Sequence, residues 1–197
     1  MKKFLILVFV LALHQAGQSQ ISYGAKAGLN LATIAFSSED YTTSMKPGFH
    51  AGGFVQYTIK EKLGIQAEVV YSAEGNKWIW KPNATKATIN TSHIRIPLMV
   101  QYKIGNGILV EAGPQYRLLL TIKQTALGAT HDIKPLYYGG TFGVGVGAAY
   151  ELPGKIKGLK AGVRYSRDLS KMNKQNVGGG NLTGSVIAIS VQYQLSK

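Results

Sequence analysis

Alternation constrains this chain more than any other feature. Apolar side chains recur at every second residue in a series of stripes. Tyr23, Tyr57, Tyr102, Tyr150 and Tyr193 mark one end of these stripes, and Phe49, Tyr71, Tyr116, Tyr138 and Tyr165 mark the other. Period two is strand geometry, because successive side chains of a strand point to opposite faces. An apolar band bounded by two aromatic rows is the pattern of strands that cross a bilayer, where a ring stays in lipid while its hydroxyl reaches water. Of the eleven tyrosines, only Tyr41 and Tyr137 fall outside the two rows.

Reading alternate residues predicts eight strands, at about 21–33, 48–59, 63–75, 92–104, 108–121, 136–152, 158–167 and 184–195. The expected fold is all-β, an eight-stranded antiparallel up-and-down transmembrane barrel. The apolar faces of these stripes read as free of charge. The opposite faces carry Lys26, Glu68, Arg95, Glu111, Arg117, Lys160 and Arg164, together with Lys103 and Glu151. A soluble barrel has the same alternation with its faces exchanged, so glycine decides the direction. Gly24, Gly28, Gly52, Gly113, Gly143 and Gly147 lie on the polar face and suit a lumen that eight strands leave narrow, whereas the large aromatics would overfill it.

Connections alternate in length. Short turns are predicted around 60–62, 105–107 and 153–157, and long loops at 34–47, 76–87, 122–135 and 168–183, as in barrels with short periplasmic turns and long extracellular loops. Turns centred on Glu61 and Asn106 put Ile59 with Leu63 and Ile104 with Ile108 on the lipid side, a register that closes without a bulge. It also sets Arg95 directly opposite Arg117. Like charges there need a bridging group, and Glu68 and Glu111 are nearest in depth.

Residues 1–19 read as a signal peptide, with Lys2 and Lys3 before an apolar run from Phe4 to Leu13 that is too short to span a bilayer as a helix. Residues 20–197 form the barrel domain. The formal charge is +13; without Lys2 and Lys3, 20 basic residues face 9 acidic ones, or +11. Scattered lysines on an exported chain exclude nucleic acid and point to outer-membrane lipid and phosphate-bearing lipopolysaccharide as partners, with a further protein partner open through the extracellular loops. The chain holds no cysteine, which excludes thiol chemistry and a lipid-carrying cysteine.

The sharpest catalytic arrangement places His50 opposite Ser72 with Glu74 one diagonal step away, the parts of a nucleophilic site. His50 reads better as a hydrogen-bonding group of the lumen, and no enzyme activity is expected. No two histidines are four residues apart, so no metal is expected, and no motif implies a cofactor. Gly178-Gly179-Gly180 reads as a loop tip. Lys77-Trp-Ile-Trp-Lys81 reads as a loop whose indoles anchor at lipid head groups or contact a partner, and the interleaved lysines favour anchoring.

Five runs resemble the PorT-like outer-membrane β-barrel family of Bacteroidetes: Tyr23-Gly-Ala-Lys-Ala-Gly-Leu-Asn30, Gly48-Phe-His-Ala-Gly52, Ile65-Gln-Ala-Glu-Val-Val-Tyr-Ser-Ala-Glu-Gly75, His93-Ile-Arg-Ile-Pro-Leu98 and Val110-Glu-Ala-Gly-Pro114. The resemblance implies the fold and an outer-membrane location, and its namesake implies a part in protein secretion. Arg167-Asp168 and the C-terminal Leu195-Ser-Lys197 depart from the family's pattern. The reading as a whole is a non-enzymatic barrel with a plugged polar lumen and a structural or interaction role. The alternatives are a narrow porin-like channel and a PorT-like secretion accessory.

Overall fold

A computed structural model describes residues 20–35, 40–154, 156–174 and 180–196; the signal-peptide segment and Gly178 and Gly179 lie outside them. Nine strands follow in order: β1 (Ile21–Ala35), β2 (Tyr41–Lys60), β3 (Leu63–Trp80), β4 (Thr85–Gly105), β5 (Ile108–Ala126), β6 (Ala129–Asp132), β7 (Gly140–Glu151), β8 (Leu159–Asp168) and β9 (Thr183–Ser196). Eight of them form a closed antiparallel ring. Neighbouring strands pair along it, β1 pairs with β9, β4 with β5 and β5 with β7, so every strand of the ring has two partners within it, and the four-residue β6 pairs on β5 alone. Closure satisfies the backbone groups that a sheet edge would expose to lipid.

The ladders follow the registers centred on Glu61 and Asn106: His50 faces Ser72, Tyr57 faces Ile65, and Arg95 faces Arg117. The pair beside each turn departs from them. Lys60 pairs with Leu63 and Gly105 with Ile108, leaving Ile59 and Ile104 as bulge residues, so these hairpins do not close without a bulge. Asn106 and Gly107, at φ 44° and 83°, take the left-handed conformation that both central positions of a type I′ turn require. Pro97 and Pro114 interrupt their ladders: pairing of β3 with β4 skips from Leu98 to Arg95, and that of β4 with β5 from Gln115 to Ala112. A proline has no N–H to donate there.

Strand lengths differ most from the sequence reading. β2 to β5 run 18 to 21 residues, against the 9 to 11 or so that cross a bilayer. Most of the residues expected in the long loops at 34–47, 76–87 and 122–135 continue the barrel wall instead, with β6 pairing on β5. Trp78 and Trp80 are therefore strand residues. The strand expected at 136–152 begins only at Gly140, after a 3₁₀ turn at Lys134–Leu136.

Outward-pointing residues between the aromatic rows are apolar and exposed, among them Leu29, Val55, Val69, Leu98, Val110, Phe142, Val146, Ile189 and Val191. A contiguous apolar surface of that extent faces lipid, not water. The outward face is not wholly free of charge, because Arg167 is exposed above Tyr165 at the end of β8. Beyond the apolar band the pattern inverts. Ile34, Ile89, Leu119 and Ile122 turn inward and pack with Tyr137, Met172 and Leu182, partly covered by Trp78 and Ile133, to form an apolar cap over the lumen.

Depth is testable with two substitutions on the same outward face. Val144→Arg, midway between the aromatic rows, should cost about 2–4 kcal/mol of assembly free energy. Thr125→Arg, beyond the upper row on β5, should leave the yield of heat-modifiable barrel unchanged; equal losses would contradict the assigned band.

Candidate functional site

The enclosed space is filled by charge in two tiers. In the tier nearer the turns, Glu68 accepts from Lys26 Nζ at 3.1 and 3.2 Å and from Arg164 Nη2 and Nη1 at 2.6 and 3.0 Å. Arg164 Nε donates to Glu111 Oε1 at 2.7 Å. Amides complete the shell: Gln66 donates to Glu68 at 2.7 Å, and Gln101 donates to Glu111 at 3.0 Å and to Gln66 at 3.1 Å. Two cations meet two carboxylates, all four side chains buried.

Glycine makes the room. Lys26 stands opposite Gly52, His50 opposite Gly28, Phe54 opposite Gly24, Arg164 and Glu111 opposite Gly147, and Asp168 opposite Gly143. A Cβ at Gly28 would come within 2.7 Å of His50 Cε1, and one at Gly24 within 2.6 Å of Phe54 Cζ. In a lumen this narrow a bulky group on one strand needs a bare backbone on the next.

The second tier lies nearer the loop end. Glu74 bridges the facing arginines, with Oε1 2.7 Å from Arg95 and Oε2 3.3 Å from Arg117. Arg117 also pairs with Asp168, whose Oδ2 accepts from the backbone N–H of Gly184 at 3.2 Å. Arg117 Nη2 lies 3.0 Å from His93 Nε2, which therefore accepts. The bridge between the arginines is thus Glu74, with Asp168 as a second partner of Arg117, and not Glu68 or Glu111, which belong to the other tier. Both missed residues share the parity of lumen charges on their own strands, Glu74 with Glu68 and Asp168 with Arg164, and that was the signal that could have found them.

The remaining expected lumen charge, Lys160, is buried at the turn end, where its Nζ donates to Gln56 at 3.2 Å and lies 3.7 Å from Glu151; Lys103 donates to Glu151 at 2.8 Å. These groups line a vestibule of about 200 Å³. Deeper spaces shrink to about 20 Å³ between the tiers and about 10 Å³ beside Arg117, room for a single water. Tyr23, Tyr57, Tyr102, Tyr150 and Tyr193 are exposed on the outward face toward the turn end. Phe49, Tyr71, Tyr138 and Tyr165 are exposed toward the loop end, with Tyr116 half-buried against Phe142 at 4.8 Å.

His50 and Ser72 do not form a nucleophilic pair. Asn30 lies between them, its Oδ1 2.8 Å from His50 Nδ1 and its Nδ2 donating to Ser72 Oγ at 2.8 Å. Ser72 donates its own proton to Glu74 at 2.7 Å, and Glu74 is held by two arginines. A base that does not reach the hydroxyl cannot activate it. Among the described residues no group of histidines and carboxylates is arranged to hold a metal.

The profile of the outer membrane protein beta-barrel domain matches residues 15–174. Among solved structures, Ail, the attachment invasion locus protein of Yersinia pestis, is similar at TM-score 0.51 and 10% identity, over 89% of this chain and 99% of Ail. The same protein in complex with the heparin analogue sucrose octasulfate gives 0.51 and 9%, over the same shares. Neisserial surface protein A gives 0.49 and 16%, again over 89% of this chain and 99% of the other. These are likenesses of fold. No curated protein matches the sequence.

Removing Glu74 leaves two facing arginines without their bridge, so Glu74→Ala should lower unfolding free energy in detergent by about 3–5 kcal/mol. Lys103→Ala breaks a pair that is about 40% exposed and should cost under about 1 kcal/mol. Denaturant titration of both variants checks the contrast, and similar losses would contradict it.

Proposed function

The chain belongs to the outer membrane protein β-barrel domain family and resides in the bacterial outer membrane, and on that premise we propose that it is a non-enzymatic barrel with a plugged polar lumen that acts structurally or through contacts at the cell surface. Residues 1–19 export it and residues 20–197 form the barrel. The turn end, which carries both described termini, faces the periplasm, and the long strands stand outside the cell. The two aromatic rows anchor the wall at the head groups on either side, and outer-membrane lipid is its immediate partner.

One observation carries this reading: two tiers, each of two cations and two carboxylates, cross the lumen. Each tier is neutral and internally bonded, so no ion gains by entering it, and the apolar cap adds a second seal outside. A narrow channel is the second reading, favoured by the vestibule of about 200 Å³ at the periplasmic mouth. The narrower assignment to PorT-like barrels of Bacteroidetes, with an accessory role in secretion, is supported by the five motif runs; a gene position beside secretion components is the observation that checks it.

In planar bilayers the unmodified protein should conduct negligibly. Replacing Glu68, Arg164, Glu74 and Arg95 together with serine removes one neutral pair from each tier, so charge balance is kept while the plug is emptied. Measurable conductance should then appear. Stable ion-selective openings from the unmodified protein would reject the plugged lumen in favour of the channel.

A further inference from the structure

Beyond the apolar band, β2 to β6 stand above the shorter β7 and β8 as a sheet with two different faces. Its inner face is the apolar cap. On its outer face Lys77, Lys86 and Lys123 are exposed, and each alternates with inward neighbours: Asn76 and Trp78, Ala87, and Ile122. Lys46 crosses Gly75 to donate to Asn90 Oδ1, where a Cβ on Gly75 would lie 2.5 Å from Lys46 Cδ. Cross-strand pairing then sets Asn90 beside Lys123, and Lys77 beside Thr88 and Thr125.

Four ammonium groups and a row of hydroxyls, with the exposed Ile79 opposite Lys86, thus occupy one face of the projecting sheet, across four strands and roughly 14 Å. Acidic side chains stand at its margins, Asp40 at the tip and Asp132 opposite Lys123. With strands tilted about 45°, each row of two residues rises roughly 5 Å, so the lysines span roughly 5–15 Å above the Phe49 row. This face continues the lipid-facing wall upward. It therefore faces sideways, into the layer that surrounds the barrel just outside the hydrocarbon, and not toward the medium above.

We propose that the outward face of the projecting sheet, through Lys46, Lys77, Lys86 and Lys123, binds the phosphorylated sugars of lipopolysaccharide in the surrounding outer leaflet. Ammonium groups supply the counter-charge that neighbouring phosphates need, and the threonines and Asn90 supply hydrogen bonds to sugar hydroxyls. Position selects this occupant over a soluble polyanion, which would meet the tip first. The proposal rests on the outer-membrane reading but not on the plug.

The test uses the full barrel refolded in zwitterionic detergent, with purified rough-type lipopolysaccharide, the same material after chemical dephosphorylation, and heparin as the soluble polyanion. The substitutions Lys46→Gln, Lys77→Gln, Lys86→Gln and Lys123→Gln together should weaken binding of phosphorylated lipopolysaccharide by about tenfold or more. Lys60→Gln, Lys62→Gln and Lys157→Gln, on the periplasmic turns, should leave it within about twofold, and dephosphorylated material should bind the unmodified protein as weakly as the quadruple variant binds the intact form. Should Lys46→Gln impair folding, the triple variant at the three exposed lysines serves in its place. Unchanged binding after substitution, indifference to phosphate, or preference for heparin would each overturn the proposal. Loss of the fast-migrating unboiled band from the unmodified protein would instead reject the barrel.

Discussion

A charge cannot remain alone in the space that eight strands enclose, and the interior of this protein is organised by that constraint. Lys26, Arg95, Arg117 and Arg164 are buried, and each would destabilise the barrel severely if unpaired. Four carboxylates answer them in two separate neutral groups. Neutrality within each tier means that neither depends on the other, and hydrogen bonds from Gln66, Gln101 and Ser72 add to the ion pairs at Glu68, Glu111 and Glu74. Opposite these groups, glycines allow large side chains to project without collision. The wall and its contents are one packing problem, solved strand against strand.

The second organising fact is that the solvent changes along each strand. Within the band the surroundings are lipid, and apolar residues face out; above it the surroundings are aqueous, and the same strands turn apolar residues in. β4 shows the inversion directly, with Ile94, Ile96 and Leu98 outward in the band and Ala87 and Ile89 inward above it. β5 makes the change through a bulge at Leu120, between the pairs His93–Leu119 and Ser92–Thr121. The inverted stretch becomes a projecting sheet whose inner face seals the lumen and whose outer face is free to carry lysine.

That inversion explains what the sequence revealed and what it concealed. The stripes within the band were legible because one phase held throughout, and so were the registers, since a turn centred on Asn106 dictates that Arg95 faces Arg117. The extensions of β2 to β5 read as loops because their alternation runs in the opposite phase and is diluted by threonine and lysine. Glu74 was visible as a titratable residue but not as the bridge, because its reach to Arg95 is diagonal and depends on strand tilt. Asp168 looked out of place beside Arg167, yet the two point to opposite sides of the wall. Ile59 and Ile104 were placed on the correct face, but the bulges that hold them there depend on turn conformations that parity alone does not specify.

Accessibility of the space between the tiers tests the plugged lumen most directly. The chain has no cysteine, so Ser72→Cys introduces a single thiol at a buried position between Glu68 and Glu74, and Gln56→Cys places one in the periplasmic vestibule. With a small charged thiol reagent on folded protein, the vestibule thiol should react at close to the rate of a free thiol, and the one at position 72 only after denaturation. Rapid modification of Ser72→Cys in the folded barrel would show an open path through the tiers and contradict the account.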